Sequence, residues 1–308
     1  VRSSGGLVEV RSGTAVAGQM KLYYEDMGDP DDPPVLLIMG LGAQLLLWRT
    51  AFCEKLVAQG LRVIRYDNRD VGLSSRTEHA DPAQSMPARL LRFWFGLPSQ
   101  AAYTLEDMAD DAAALLDHLG IETAHIVGAS MGGMIAQIFA ARFPQRTKAL
   151  AIIFSSNNRA CLRPPAIRAL RAMLSGPPPG SPRDMVVDNV VRVTGITGSR
   201  RYRLPEERIR ADAAENYDRS FDPLGVSRQF NAVLGSGSLR HYNRRIAAPT
   251  VVIHGRKDIM VRPSNGRAVA RAIDDARLVL FDGMGHDLPE PLWDGLISVL
   301  ISNFARAG

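Results

Sequence analysis

The 308-residue chain has only two cysteines, Cys53 and Cys161, and only four Lys beside 33 Arg. Two cysteines so far apart, without metal-ligand spacing, give no disulfide framework. Cys53 in a helix-like stretch and Cys161 in a loop read as free thiols. No apolar run approaches the ~18–20 residues that a helix needs to span a bilayer. Val1 to Gly13 lacks the apolar centre of a signal peptide, so these residues give export no support and a cytoplasmic protein is expected. Equally missing are a G-x-x-x-x-G-K-[ST] phosphate loop, a zinc-finger or RNA-recognition signature, and any His/Cys/Asp cluster. No metal, no cofactor and no nucleic-acid partner is therefore expected.

What is present is the composition of a folded globular protein, 46% hydrophobic and 22% charged. The length suits one large α/β domain or two ordinary ones. The net charge of +5 is unevenly spread: residues 156–246 hold sixteen Arg against eight Asp and Glu, a net of +8, which leaves −3 for the rest. Such a segment can draw in anionic substrates, a membrane surface or nucleic acid, but a solvated helical surface in an Arg-rich protein is the simpler reading.

Short apolar runs alternate with helix-like stretches. An opening hairpin is expected over residues 7–11 and 19–26, with Gly13 in the turn. Val35 to Met39 is a continuous apolar run, as in a parallel strand buried on both faces. Similar runs follow at Leu61 to Tyr66, Ala124 to Val127, Ala149 to Phe154, Val251 to His254 and Arg277 to Phe281. Helices are expected at Trp48 to Gln59, Leu105 to Leu119, Met131 to Phe143 and Ser264 to Ile273. The pattern is that of an α/β fold with a mostly parallel, doubly wound sheet and right-handed crossovers. Two segments interrupt it. Residues 77–103 read as a lid-like insertion containing the apolar cluster Leu90 to Phe95. Residues 156–246 read as a mostly helical cap inserted into a core made of 1–155 and 247–308.

Chemistry is concentrated in Gly128-Ala129-Ser130-Met131-Gly132, which ends an apolar run and opens a helix. A G-x-S-x-G pentapeptide in that setting holds the serine on a strained strand-to-helix turn, its hydroxyl exposed above the sheet. A serine hydroxyl is a poor nucleophile at neutral pH without a base, and the base needs an acid to fix its tautomer. Of six histidines, His125 and His254 fall inside strands, His118 on an amphipathic helix, and His79 and His241 in the two interrupting segments. His286 stands apart, in the loop after the last strand, where it can hang over the carboxyl ends of the strands. Asp258 follows the preceding strand and lies 28 residues earlier. Ser130, Asp258 and His286 therefore form a nucleophile–acid–base set, each just after a strand.

On these residues the chain resembles the α/β-hydrolase superfamily, in the lipase/esterase branch that includes aclacinomycin methylesterase-like proteins. The likeness spans nearly the whole chain. It is tightest at Leu37 to Gly42, Val63 to Ser74, the serine elbow and Asp282 to Pro289. The resemblance implies an α/β-hydrolase fold with a helical cap, and a catalytic triad of Ser130, Asp258 and His286. It also implies oxyanion donors at the backbone N–H groups of Leu41 and Met131. Where the superfamily usually has His-Gly, this chain has Met39-Gly40; the donor is a main-chain group, so the exchange leaves it in place. Asp67-Asn68-Arg69-Asp70 resembles a loop that braces the floor of the site, and its charges are read as structural.

Substrate-facing candidates are Met39, Leu41, Leu45, Leu46, Met131, Ile259 and Leu288, with Phe93, Trp94 and Phe95 from the lid. An apolar pocket around one polar constellation suits an uncharged hydrophobic ester. Carboxylic ester hydrolysis through an acyl-enzyme is thus expected, with a small-molecule ester as partner. C–C or lactone cleavage by the same residues is the alternative, and a non-catalytic ligand-binding protein the reading from another class. A homodimer stays open.

Overall fold

A computed structural model describes residues 8–78, 85–178 and 180–307. One eight-stranded sheet organises the molecule. The opening hairpin is β1 (Val10–Ala17) and β2 (Met20–Met27), antiparallel and closed by Gly18 at φ 59°. There follow β3 (Pro34–Ile38), α1 (Thr50–Val57), β4 (Arg62–Tyr66), α2 (Met86–Trp94) and α3 (Leu105–His118). Next come β5 (Ala124–Ala129), α4 (Met131–Arg142) and β6 (Thr147–Ile153). Among the described residues, α5 (Ile167–Leu174), α6 (Arg183–Thr197), α7 (Glu206–Arg219), α8 (Pro223–Gly235) and α9 (Arg240–Asn243) are inserted before the sheet resumes. The chain closes with β7 (Thr250–Gly255), α10 (Pro263–Ala270), β8 (Arg277–Phe281) and α11 (Trp293–Phe304).

The strands lie in the order β1-β2-β4-β3-β5-β6-β7-β8. From β4 to β8 all pairs are parallel, while β2 joins β4 antiparallel. The continuous apolar runs follow from this: a central parallel strand is covered on both faces. In β3, Leu36 and Ile38 enter one core with α3 and α4, whereas Val35 and Leu37 enter the other with α1 and α11. Helix α4 is buried almost all round, from Met131 to Ala141, which is why its sequence shows no polar stripe.

The structure corrects the opening hairpin. Gly13 lies inside β1 rather than in a turn, paired with Tyr24. A Cβ there would sit 2.6 Å from the Tyr24 hydroxyl, so glycine makes room for a ring on the neighbouring strand. The first helix also starts later than expected, because Leu45–Leu47 forms a separate 3-10 turn before it. His118 packs edge-on against Tyr24, and His125 stacks on Phe304. Burial, helped by Lys148, pushes the His125 pKa down to about 4. His241 lies in α9 and His79 outside the described residues. Cys53 is buried and Cys161 exposed, both free. Burial pushes the Cys53 thiol up to about 12, so it is unreactive at neutral pH.

Candidate active site

The turn between β5 and α4 puts Ser130 at φ 56°, ψ −120°, a region that non-glycine residues seldom adopt and that costs about 1–3 kcal/mol. The surroundings hold it there. Ser130 N donates to Ile153 O at 2.9 Å, and the Ser155 hydroxyl donates to Ser130 O at 2.6 Å. The flanking glycines are required by close approach of backbones. A Cβ on Gly128 would lie 2.2 Å from Gly132 O, and one on Gly132 would lie 2.1 Å from Ile38 O. Gly132→Ala is therefore expected to lower stability by about 2–4 kcal/mol, measured as a shift in the urea midpoint. A midpoint unchanged from the parent protein would contradict the tight β3–α4 approach.

His286 and Asp258 reach the same spot from β8 and β7. His286 Nε2 stands 3.1 Å from Ser130 Oγ, and His286 Nδ1 stands 2.8 Å from Asp258 Oδ2. An ionised carboxylate only accepts, so Nδ1 carries the proton and Nε2 is left to accept from the serine hydroxyl. Asp258, 2% exposed, is fixed through Oδ1 by the N–H groups of Met260 (2.8 Å) and Val261 (2.9 Å). Burial alone would raise its pKa, but the neighbouring His286 and His254 outweigh that and hold it at about 2. His254 is fully buried in β7. Its Nε2 donates to Val261 O at 2.8 Å and stands 3.5 Å from Asp258 Oδ2. The Phe154 ring backs His286 with centroids 4.7 Å apart.

Leu41 follows β3 in the turn Gly40 to Gly42. A Cβ on Gly40 would sit 3.0 Å from Ser130 Cβ and 3.5 Å from Ser130 Oγ, so any side chain there would crowd the hydroxyl. Met131 N is the first amide of α4, where the helix dipole favours negative charge. Gly42 N is engaged elsewhere, donating at 2.8 Å to Oε1 of Gln229 on α8. Gln229 is fully buried and its Nε2 donates to Arg69 O at 2.7 Å, so α8 is pinned to two loops at the edge of the site.

The Asp67–Asp70 segment is the bracing element beneath this turn. Asn68 Nδ2 donates to Met39 O at 2.9 Å, fixing the strand end that precedes Gly40. Asp67 accepts from the N–H groups of Leu45 (2.8 Å) and Leu73 (2.9 Å) and pairs with Arg219 on α7 at 2.7 Å. Asp70 pairs with Arg228 on α8 at 2.9 Å. Arg69 forks onto Asp111 of α3 at 2.6 and 2.7 Å. Removing Arg69 would strand the Asp111 carboxylate, which is 4% exposed. Arg69→Met is expected to cost about 3–5 kcal/mol by urea unfolding; a loss below ~1 kcal/mol, the scale of an exposed pair, would overturn this.

Of the pocket candidates, Met39 and Leu45 are buried, Leu41, Leu46, Ile259 and Leu288 half-buried, and Met131 buried at the start of α4. Phe93 packs half-buried against the larger core, whereas Trp94 and Phe95 are exposed. A cavity of about 1020 Å³ lies elsewhere, lined among others by Lys21, Arg69, Tyr103, Asp107 and Asp111, and none of Ser130, Asp258 and His286 belongs to its lining. Among the described residues no group of three or more His, Cys, Asp and Glu is arranged to hold a metal ion. No helix among them is long and apolar enough to cross a membrane.

An eight-stranded, mostly parallel sheet carrying a strained serine elbow is an α/β-hydrolase architecture. The family described as the alpha/beta hydrolase fold matches residues 33–290, and the chain belongs to it. More particularly, the chain is 28% identical to rhodomycin D methylesterase DauP of Streptomyces sp. (strain C5). That match covers 94% of this chain and 96% of the relative. It is 29% identical to a poly(3-hydroxyalkanoate) depolymerase of Ectopseudomonas oleovorans, covering 84% of this chain and 80% of that one. Among solved structures, the 2-hydroxy-6-oxo-6-phenylhexa-2,4-dienoate hydrolase of Rhodococcus sp. strain RHA1 superposes with a TM-score of 0.73 at 22% identity, covering 97% of this chain and all (100%) of that one. The protein is an enzyme, an esterase-like hydrolase, of the branch its sequence resembles.

Proposed function

We propose that the protein is a serine carboxylic ester hydrolase acting through an acyl-enzyme on an uncharged, hydrophobic ester, with α5 to α9 as its cap. The observation that carries this reading is the continuous chain of contacts from Ser130 Oγ through His286 (3.1 Å) to Asp258 (2.8 Å), built on a strained elbow. In the first half-reaction Ser130 Oγ attacks the ester carbonyl carbon while its proton passes to His286 Nε2. The carbonyl oxygen takes the electron pair and is met by the N–H groups of Leu41 and Met131. As the tetrahedral species collapses, the C–O bond breaks and His286 returns the proton to the leaving alcohol. In the second half, water gives its proton to His286 and attacks the acyl carbon. Ser130 regains its proton as the carboxylic acid leaves. Asp258 stays ionised throughout, holding the imidazole and offsetting its charge.

The 28% identity to a methylesterase along 94% of the chain supports an ester over the C–C or lactone substrates that the same residues can open. The apolar candidates Met39, Leu45, Ile259 and Leu288 support an uncharged acyl or alcohol group. Turnover of a p-nitrophenyl ester series, beside lactones and diketones, tests the assignment. Ester hydrolysis well above the other two classes is expected. Preferential cleavage of diketones or lactones would replace the ester reading.

A further inference from the structure

The loop that carries His286 is gripped from the cap. Gly283 (φ 76°) and Gly285 precede the histidine, and between them the buried Met284 accepts from Lys257 N at 3.0 Å on the core side. At the end of α6, however, Thr197 O accepts from His286 N at 3.0 Å. Two residues on, Ser199 holds both neighbours of the histidine. Its Oγ accepts from Gly285 N at 2.7 Å and donates to Asp287 Oδ1, while its own N–H donates to Asp287 Oδ2 at 3.0 Å. Among the described residues the Asp287 carboxylate has no other hydrogen-bond partner. Ser199 is 3% exposed. The two backbones nearly touch here: a Cβ on Gly285 would lie 2.6 Å from the carbonyl carbon of Gly198.

We infer that Ser199 is a positioning residue for the catalytic base: by clamping Gly285 and Asp287 it sets the imidazole so that Nδ1 meets Asp258 while Nε2 meets Ser130. This rests on the reading of His286 as the base. The imidazole has to satisfy two partners at once, 2.8 and 3.1 Å away, so the placing of its backbone decides whether both are met. A displacement of about 1 Å at such a site is worth about a hundredfold in rate. The clamp also ties the cap to the chemistry. The end of α6 cannot lift away for substrate entry without releasing the base.

Ser199→Ala and Ser199→Thr, with Asp287→Asn as a second route, test this. Ser199→Ala should lower kcat about tenfold to a hundredfold with KM within about twofold. Labelling of Ser130 by a fluorophosphonate should slow by a similar factor, and the downfield proton resonance of His286 Nδ1–H should broaden or shift. Ser199→Thr, which keeps the hydroxyl, should recover most of kcat. Asp287→Asn keeps an acceptor for Ser199 but loses its charge, and should fall between the parent and Ser199→Ala. If Ser199→Ala does not fold, Asp287→Asn carries the test by the same readouts. Unchanged kcat and resonance in a folded Ser199→Ala protein, or unchanged values in Asp287→Asn where that variant stands in, would overturn the inference. His286→Ala separates the two readings: an active His286→Ala protein removes the base assignment itself, whereas an inactive one beside a fully active Ser199→Ala protein refutes only the clamp.

Discussion

Ser130→Ala is expected to lower ester turnover by about four to six orders of magnitude while leaving the fold and the affinity for substrate nearly unchanged. The size follows from what the hydroxyl does. In the proposed mechanism it forms the covalent bond to the acyl group, and among the described residues His286 Nε2 has no other hydrogen-bond partner. Alanine also relieves nothing in the turn, because the positive φ at position 130 is imposed by the Ile153 and Ser155 hydrogen bonds and by the glycines around it. Residual catalysis would come from binding and from the two proposed oxyanion donors. Initial rates with a short p-nitrophenyl ester, beside a circular dichroism spectrum to confirm folding, measure it. Activity within about tenfold of the parent would remove the serine from the mechanism.

Asp258→Asn is expected to lower kcat by about 10⁴. An asparagine at this site can present its NH₂ to the imidazole, which turns the tautomer round and places a proton on Nε2, where the serine hydroxyl needs an acceptor. The same substitution changes stability with pH. The folded pKa of Asp258, about 2, lies below the ~3.9 of an unfolded aspartate. The ionised carboxylate therefore contributes stability that is complete above about pH 5 and is lost as the pH falls through 4 toward 2, about 2–3 kcal/mol in all. Urea midpoints measured between pH 2 and pH 6 should show that slope in the parent protein and a flatter curve in Asp258→Asn. Parallel curves would mean that the carboxylate is not held in its charged form by the two histidines.

The sheet was legible because parallel strands leave a plain mark: Val35 to Met39 and Val251 to His254 are apolar without a break, as burial on two faces demands. The nearness of Ser130, Asp258 and His286 was legible for a related reason. Each stands a few positions past such a run, and a parallel sheet brings those loops to one edge. Gly13 was misplaced because glycine signals a turn locally, whereas here it answers a tyrosine on the next strand. The supports of the site left no such mark. Ser199 meets Asp287 across 88 positions and Gln229 meets Gly42 across 187, contacts that only the tertiary fold brings about. A single Ser or Gln in an Arg-rich helical segment carries no periodicity or spacing that would reveal the pairing. Asn68 was closer to view: its segment was read as a brace, and its bond to Met39 O is the bracing contact.

The central claim is that an ester is cleaved through a covalent acyl group on Ser130. Rapid quenching of the enzyme with a slowly deacylating ester, followed by intact mass and peptide mapping, tests it directly. One acyl increment per chain is predicted, located on the peptide containing Gly128-Ala129-Ser130-Met131-Gly132 and absent from Ser130→Ala. Turnover without any increment, or an increment on another residue, would contradict the account.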